Sequence, residues 1–145
     1  MISSYIKFVL LLALLFALSV AAKYTVVIRG FIPEEKISAH CYSSEDDLGN
    51  HVLLYQQDFK FRFTPNLFRT TKFYCDFKSN YGYGNYGVYT WRISSLCHQY
   101  CLWLIEKSGP CLQTEHNGLY CQPWKYPHPL PKALTSASLP NLQGH

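Results

Sequence analysis

The chain is short of charge. Asp, Glu, Lys and Arg make up 15% of its 145 residues, against ~25% in an average soluble domain. It has no block of five or six Lys/Arg, so the basic footprint that phosphate binding requires is missing and nucleic acid is excluded as a partner. It lacks the Ala, Glu, Lys and Leu at heptad spacing that a coiled coil needs. No Gly-x-Ser-x-Gly and no His-Glu-x-x-His is present, and the calcium-loop alternation of carboxylates is absent. No Asn-x-Ser/Thr sequon occurs, so N-glycans do not enter the argument. Beyond the amino terminus there is no long apolar run and no sustained 3.6-residue apolar period.

Aromatic residues are abundant, at 17%, with 12 Tyr and 9 Phe. A chain with that much apolar surface can bury enough of it to fold, which argues against disorder. The length suits one domain. The net charge is +4, from 13 Lys+Arg and 9 Asp+Glu, and the basic residues are scattered.

The one long apolar stretch, FVLLLALLFALSVAA over residues 8–22, follows Lys7 and ends in small residues before Lys23. A positive segment, an apolar core and a small-residue exit describe a secretory signal peptide. At ~1.5 Å per residue the stretch spans only about 22 Å, short of a ~30 Å hydrocarbon core. Residues 1–22 are therefore expected to be removed after Ala22, with Ala21 as second choice. The carboxy terminus carries no Lys-Asp-Glu-Leu retention signal, so the expected destination is outside the cell.

Six cysteines then follow: Cys41, Cys75, Cys97, Cys101, Cys111 and Cys121. An even count in an oxidising compartment reads as three disulfides, and the sequence leaves their pairing open. Cys97 and Cys101 on one strand would stand ~13 Å apart at ~3.3 Å per residue. That is too far for a bridge, so they pair only if a tight or helical turn intervenes. The spacings do not match the usual zinc sites, and no metal is expected.

Between the cysteines, residues 23–31, 37–42, 58–64, 70–77, 88–93, 100–105 and 112–120 read as strands from their alternating, β-branched or aromatic character. The clearest is DFKFRFT, which places Phe59, Phe61 and Phe63 on one face and Lys60 and Arg62 on the other. Thr71, Phe73, Cys75 and Phe77 share a face in the same way. These phenylalanines and Trp103 are expected in the core. Residues 33–36, 43–50, 64–66 and 79–87 read as turns or loops, as do Gly109-Pro110 and the hairpin dipeptide Asn117-Gly118. The acidic Glu45-Asp46-Asp47 is read as a turn, with aspartates bonding nearby N–H groups. Seven short strands with regular turns predict an all-β fold, a small antiparallel β-sandwich stabilised by disulfides, over residues 23–124. Residues 125–145 read as a Pro-rich flexible tail.

The order of the pieces carries further information. His40-Cys41-Tyr42-Ser43 and Glu45-Asp46-Asp47-Leu48-Gly49 are followed by Phe59-Lys60-Phe61-Arg62-Phe63 and Thr71-Lys72-Phe73-Tyr74-Cys75. Cys101-Leu102-Trp103, Gly109-Pro110-Cys111 and Cys121-Gln122-Pro123-Trp124 come after. Over residues 26–124 this series resembles the plant self-incompatibility S-protein homologue family. The resemblance implies a small secreted plant protein, a disulfide-held β-sandwich and no enzymatic activity. Its founding members are stigma ligands recognised by incompatible pollen. The family's cysteines map onto Cys41, Cys75, Cys101 and Cys111, with Cys97 and Cys121 as further matches. The chain departs from relatives in the Tyr/Gly-rich stretch before Cys97 and in the extended Pro-rich tail.

His40, His51, His98, His116, His128 and His145 sit in no paired motif, including that of a ribonuclease, and His40 beside Cys41 reads as a packing or hydrogen-bonding residue. The expected function is an extracellular ligand for a cell-surface receptor or other extracellular protein, without cofactor. The alternative is a secreted defence protein that binds a microbial target. A secreted hydrolase is a further reading, with no catalytic constellation behind it. The candidate contact residues are Tyr81, Tyr83, Asn85 and Tyr86, because Tyr offers a large amphipathic face and loops on a rigid sandwich often carry recognition.

Overall fold

Alternating apolar residues build two stacked sheets, seen in a computed structural model that describes residues 3–20 and 22–129. The apolar amino-terminal stretch forms α1 (Ser4–Val20); no helix among the described residues is long and apolar enough to cross a membrane. The strands are β1 (Tyr24–Gly30), β2 (Ile37–Tyr42), β3 (Asp47–Leu53), β4 (Asp58–Phe63), β5 (Phe73–Lys78) and β6 (Gly82–Tyr89). A short helix α2 (Trp91–Cys97) precedes β7 (Tyr100–Glu106), β8 (Gly109–Gln113), β9 (Leu119–Cys121) and β10 (Tyr126–Pro127). One sheet runs β4-β1-β7-β8-β9 and the other β10-β6-β5-β2-β3. The expected sandwich is there, with one departure: β1 and β7 pair parallel, Val27 against Leu102 and Ile28 against Trp103. A parallel pair needs a long crossover, and residues 31–99, which carry β2, β3, β5 and β6 of the second sheet together with β4 and α2, supply it.

The core lies between the sheets. Val26, Ile28, Ile37, Phe73, Phe77, Val88, Trp103, Ile105 and Leu112 are buried in it, and Phe59, Phe61 and Phe63 pack against it from β4. Trp103 has no exposure, and its Nε1–H donates to the Val88 carbonyl at 2.9 Å, so the indole is buried without an orphaned donor.

The six cysteines form Cys41–Cys75, Cys97–Cys101 and Cys111–Cys121. Two of these join residues directly opposite each other, on β2/β5 and β8/β9. The third meets the condition set by its spacing. Cys97 ends α2, and His98 takes a positive φ of 53° while its N–H donates to the Ser94 carbonyl. The chain reverses there and brings the two Cα atoms within 5.0 Å.

Five expectations are corrected. Residues 88–93 are not one strand, because β6 stops at Tyr89 and Thr90 caps α2, its side chain accepting from the Ile93 N–H at 3.1 Å. The loop expected over 43–50 is shorter. Ser43 Oγ accepts from the Asp46 N–H at 3.0 Å to close a tight turn, and β3 begins at Asp47. Gly109-Pro110 opens β8 and is no turn. The largest difference is the Tyr/Gly stretch 79–87, which is mostly strand β6. Gly82 points inward because Trp124 occupies the space a side chain would need: a Cβ there would stand 2.6 Å from the indole. The segment after Cys121 crosses this end of the sandwich, with Trp124 buried and its Nε1–H donating to the Lys107 carbonyl at 2.9 Å. Tyr126 and Pro127 then pair with Tyr83 and Gly82. The stretch expected as a tail thus begins inside the fold, and residues 130–145 of it lie outside the described residues.

Candidate recognition face

Strand alternation sends Ser38, His40, Tyr42, Asp76, Lys78, Tyr83 and Asn85 to the outside of the second sheet, opposite the buried Ile37, Ala39, Cys41, Cys75, Phe77 and Tyr86. Register aligns them into two rows across the strands. One row is Asn50, His40, Asp76 and Asn85; the next is Ser38, Lys78, Tyr83 and Tyr126. Between the rows lies an open groove of about 480 Å³, lined by these side chains and floored by Phe77 and Gly84.

The first row is hydrogen-bonded. The Asn85 amide nitrogen donates to Asp76 Oδ1 and to Tyr42 Oη, both at 2.8 Å. Asp76 offers only acceptors, so the nitrogen must face it and the amide oxygen points away. His40 Nε2 is 2.8 Å from Asp47 Oδ1, and its Nδ1 is 3.9 Å from Asp76 Oδ2. Asp47 also accepts the Gly49 N–H at 2.9 Å. That backbone bond, followed by the His40 contact, holds the Asp47 carboxyl below the usual carboxylate range. The acidic run thus contributes a turn and a histidine partner. Among the described residues there is no group of His, Cys, Asp or Glu placed to hold a metal ion.

In the second row, Tyr83 and Tyr126 stack with ring centroids 5.0 Å apart and planes at 19°, and His128 lies 5.5 Å from Tyr83. Tyr83 stays 45% exposed and Tyr126 58% exposed.

The structure divides the four candidate contact residues. Tyr83 and Asn85 share the outer face. Tyr81 is half-buried at the strand's start, its N–H donating to Ser79 Oγ at 3.0 Å. Tyr86 is corrected: its ring is 1% exposed in the core. Its hydroxyl donates to the Pro123 carbonyl at 3.0 Å and accepts the Lys125 N–H at 2.8 Å. Burial raises its pKa above the usual tyrosine value. Tyr86 therefore fastens the segment that carries Trp124. Sequence reasoning missed Asp76 and Lys78, although their alternation with Phe73, Cys75 and Phe77 was the available signal. Tyr126 had none, since a two-residue strand has no period.

Other histidines stand apart from this face. His98 Nε2 is 3.1 Å from Glu115, and His51 stacks on Phe59 at 3.7 Å.

Comparison with known proteins places this arrangement among relatives. The family model described as plant self-incompatibility protein S1 matches residues 25–124. The chain is 34% identical over 101 residues to S-protein homolog 5 of Arabidopsis thaliana, covering 69% of this chain and 77% of the relative. It is 35% identical over 107 residues to S-protein homolog 29 of the same plant, covering 71% and 78%. A solved SPH (Self-Incompatibility Protein Homologue) structure superposes with a TM-score of 0.55 at 15% identity, covering 74% of this chain and 96% of the other. That protein is described as one of a widespread family of small, highly stable, secreted proteins from plants.

Proposed function

The chain belongs to the plant self-incompatibility protein S1 family, and from that premise we propose that it is a secreted, non-enzymatic ligand for a cell-surface partner, acting through the outer face of its second sheet. The carrying observation is that face itself. Two rows of outward polar and aromatic side chains stand on strands held together by Cys41–Cys75. A rigid display of this kind avoids the ordering cost of binding. Export accords with the leader of residues 1–22 and with three disulfides, which persist only in an oxidising compartment. Pollen–pistil recognition is one setting for such a ligand, as it is for the family's founding members.

Titration of oxidised residues 23–145 onto membranes from several tissues of the source plant tests this. Saturable binding in one tissue, lost on reduction, is the expected result. Weak, salt-sensitive binding to every membrane overturns it, because that is the behaviour of a basic protein at charged surfaces, and a microbial target then becomes the better reading.

A further inference from the structure

Resting on that reading of the face, we infer that the groove between the two rows takes a neutral oligosaccharide, either free or carried on the partner.

The first ground is charge. Among the residues lining the groove there is one carboxylate, Asp76, and one ammonium, Lys78, and their charges cancel. A polyanion would meet the Asp76 carboxylate, with Asp47 beside His40 as a second. A cation would meet Lys78. An uncharged polyhydroxyl ligand meets neither penalty.

The second ground is the kind of hydrogen-bonding groups left over. Among the described residues nothing donates to Asn85 Oδ1 and Lys78 Nζ has no acceptor. Asp76 Oδ2 has only the 3.9 Å approach of His40. The bonds that Asn85 does make fix its amide plane, so its free oxygen is already oriented. An acceptor, a carboxylate and an ammonium close together on a fixed sheet suit vicinal hydroxyls, each of which both donates and accepts.

The third ground is shape. The rows lie two residues apart along each strand, about 7 Å, and run from β10 to β2 across three strand spacings, about 14 Å. The groove is thus long and narrow. The Tyr83 and Tyr126 rings close one end as an aromatic wall, against which the apolar C–H face of a sugar can rest. A peptide strand fits poorly. β5 and β2, which carry most of the groove, are central strands whose backbone groups are paired on both sides, and at Tyr83 β6 is covered by β10, so added-strand pairing finds no edge along the groove itself. The lining also holds no deep apolar pocket for a side chain, because Phe77 and Gly84 lie at its floor.

The test is calorimetric titration of the oxidised chain with two neutral hexasaccharides, a β-1,4-glucan and a β-1,4-xylan, and with an oligogalacturonate hexamer. Saturable binding of a neutral hexamer, with the acidic one weaker, is expected. Tyr83→Ala and Asn85→Ala should each weaken it about tenfold, with the thermal transition unchanged. Phe68→Ala, an exposed residue on another loop, should leave it unchanged. Failure of both neutral hexamers to bind, or equal binding by the Tyr83 and Asn85 variants, overturns the inference. Membrane titration separates this from the recognition reading. Saturable binding that survives periodate oxidation of the membrane glycans removes the partner-carried saccharide, and the free one then stands or falls with the hexamer titration. Binding to no membrane, with saccharide binding intact, removes the cell-surface partner and leaves the groove.

Discussion

The two sheets share one core but treat their outer faces differently. On the first sheet the outward positions of β1 are Thr25, Val27 and Arg29, and the register neighbours of Val27 are Lys60 and Leu102. Val27 is only 1% exposed although it points away from the core, because long stems on both flanking strands lie beside it. Arg29 closes the row with a bidentate bridge to Asp58, at 2.7 and 2.9 Å. That face is covered by its own side chains. On the second sheet the outward residues apart from Lys78 are shorter or planar, those of the first row bond along it, and a groove stays open between rows. The central position of a strand therefore does not decide whether its outer face is available. The length and pairing of the outward side chains do.

The largest test of this contrast is removal of one bridge from each sheet. Replacing Cys41 and Cys75 together by Ser opens a loop closed over 34 residues and should cost about 4 kcal/mol, by loop-closure entropy. The same change at Cys111 and Cys121, which closes 10 residues at the edge of the first sheet, should cost about 3 kcal/mol. Denaturant unfolding measures both. An equal or reversed order would mean that the open face does not depend more on its staple than the covered one.

Gly82→Ala places a methyl group against the Trp124 ring and should cost about 1–3 kcal/mol. It should also loosen β10, seen as faster amide exchange at His128, whose N–H donates to the Tyr81 carbonyl. Undisturbed exchange there would show that the aromatic end of the groove is held by something other than Trp124. Tyr86→Phe leaves the Lys125 N–H and the Pro123 carbonyl without their partner and should cost about 1–3 kcal/mol. It should do so without altering the outward rows, since Tyr86 lies below them.

The smallest effect belongs to the covered face. The Arg29 guanidinium holds the Asp58 carboxyl below the usual range. A carboxylate with a depressed folded pKa contributes its stability above the unfolded value and loses it as pH falls through the folded one. The Asp58 contribution should thus be present at pH 5–7 and fade below about pH 4. Asp58→Asn should flatten that part of the stability–pH curve. An unchanged curve would place the cover of Val27 on apolar stems alone. The pair is partly exposed, so solvent screening keeps the effect small.

Much of this was legible along the chain. Phe59, Phe61 and Phe63 alternate so cleanly with Lys60 and Arg62 that β4 and its orientation follow from period alone. Asn117-Gly118 marks the β8–β9 hairpin, with Asn117 at a positive φ of 59°. The same period, applied to 79–87, would have found β6. It was hidden because two of the inward positions there are glycines, which read as loop while Gly82 makes room for Trp124 and Gly84 for Lys125 and the Tyr86 ring. Tyr83 and Asn85, expected from the sequence as candidate contact residues, share the outer face. Tyr86 differs from them in parity, so the same period would have turned it inward, but its hydroxyl's partners in residues 123–125 were not legible.

The sequence by itself determined the local periods, an even set of cysteines and family membership, because these depend on near neighbours and on residue type. Tertiary structure alone decided the disulfide pairing, the parallel β1–β7 contact and the groove. Each of these joins residues from distant strands, and which strands become neighbours is set by how the whole apolar surface closes, a sum over the chain that no local pattern contains.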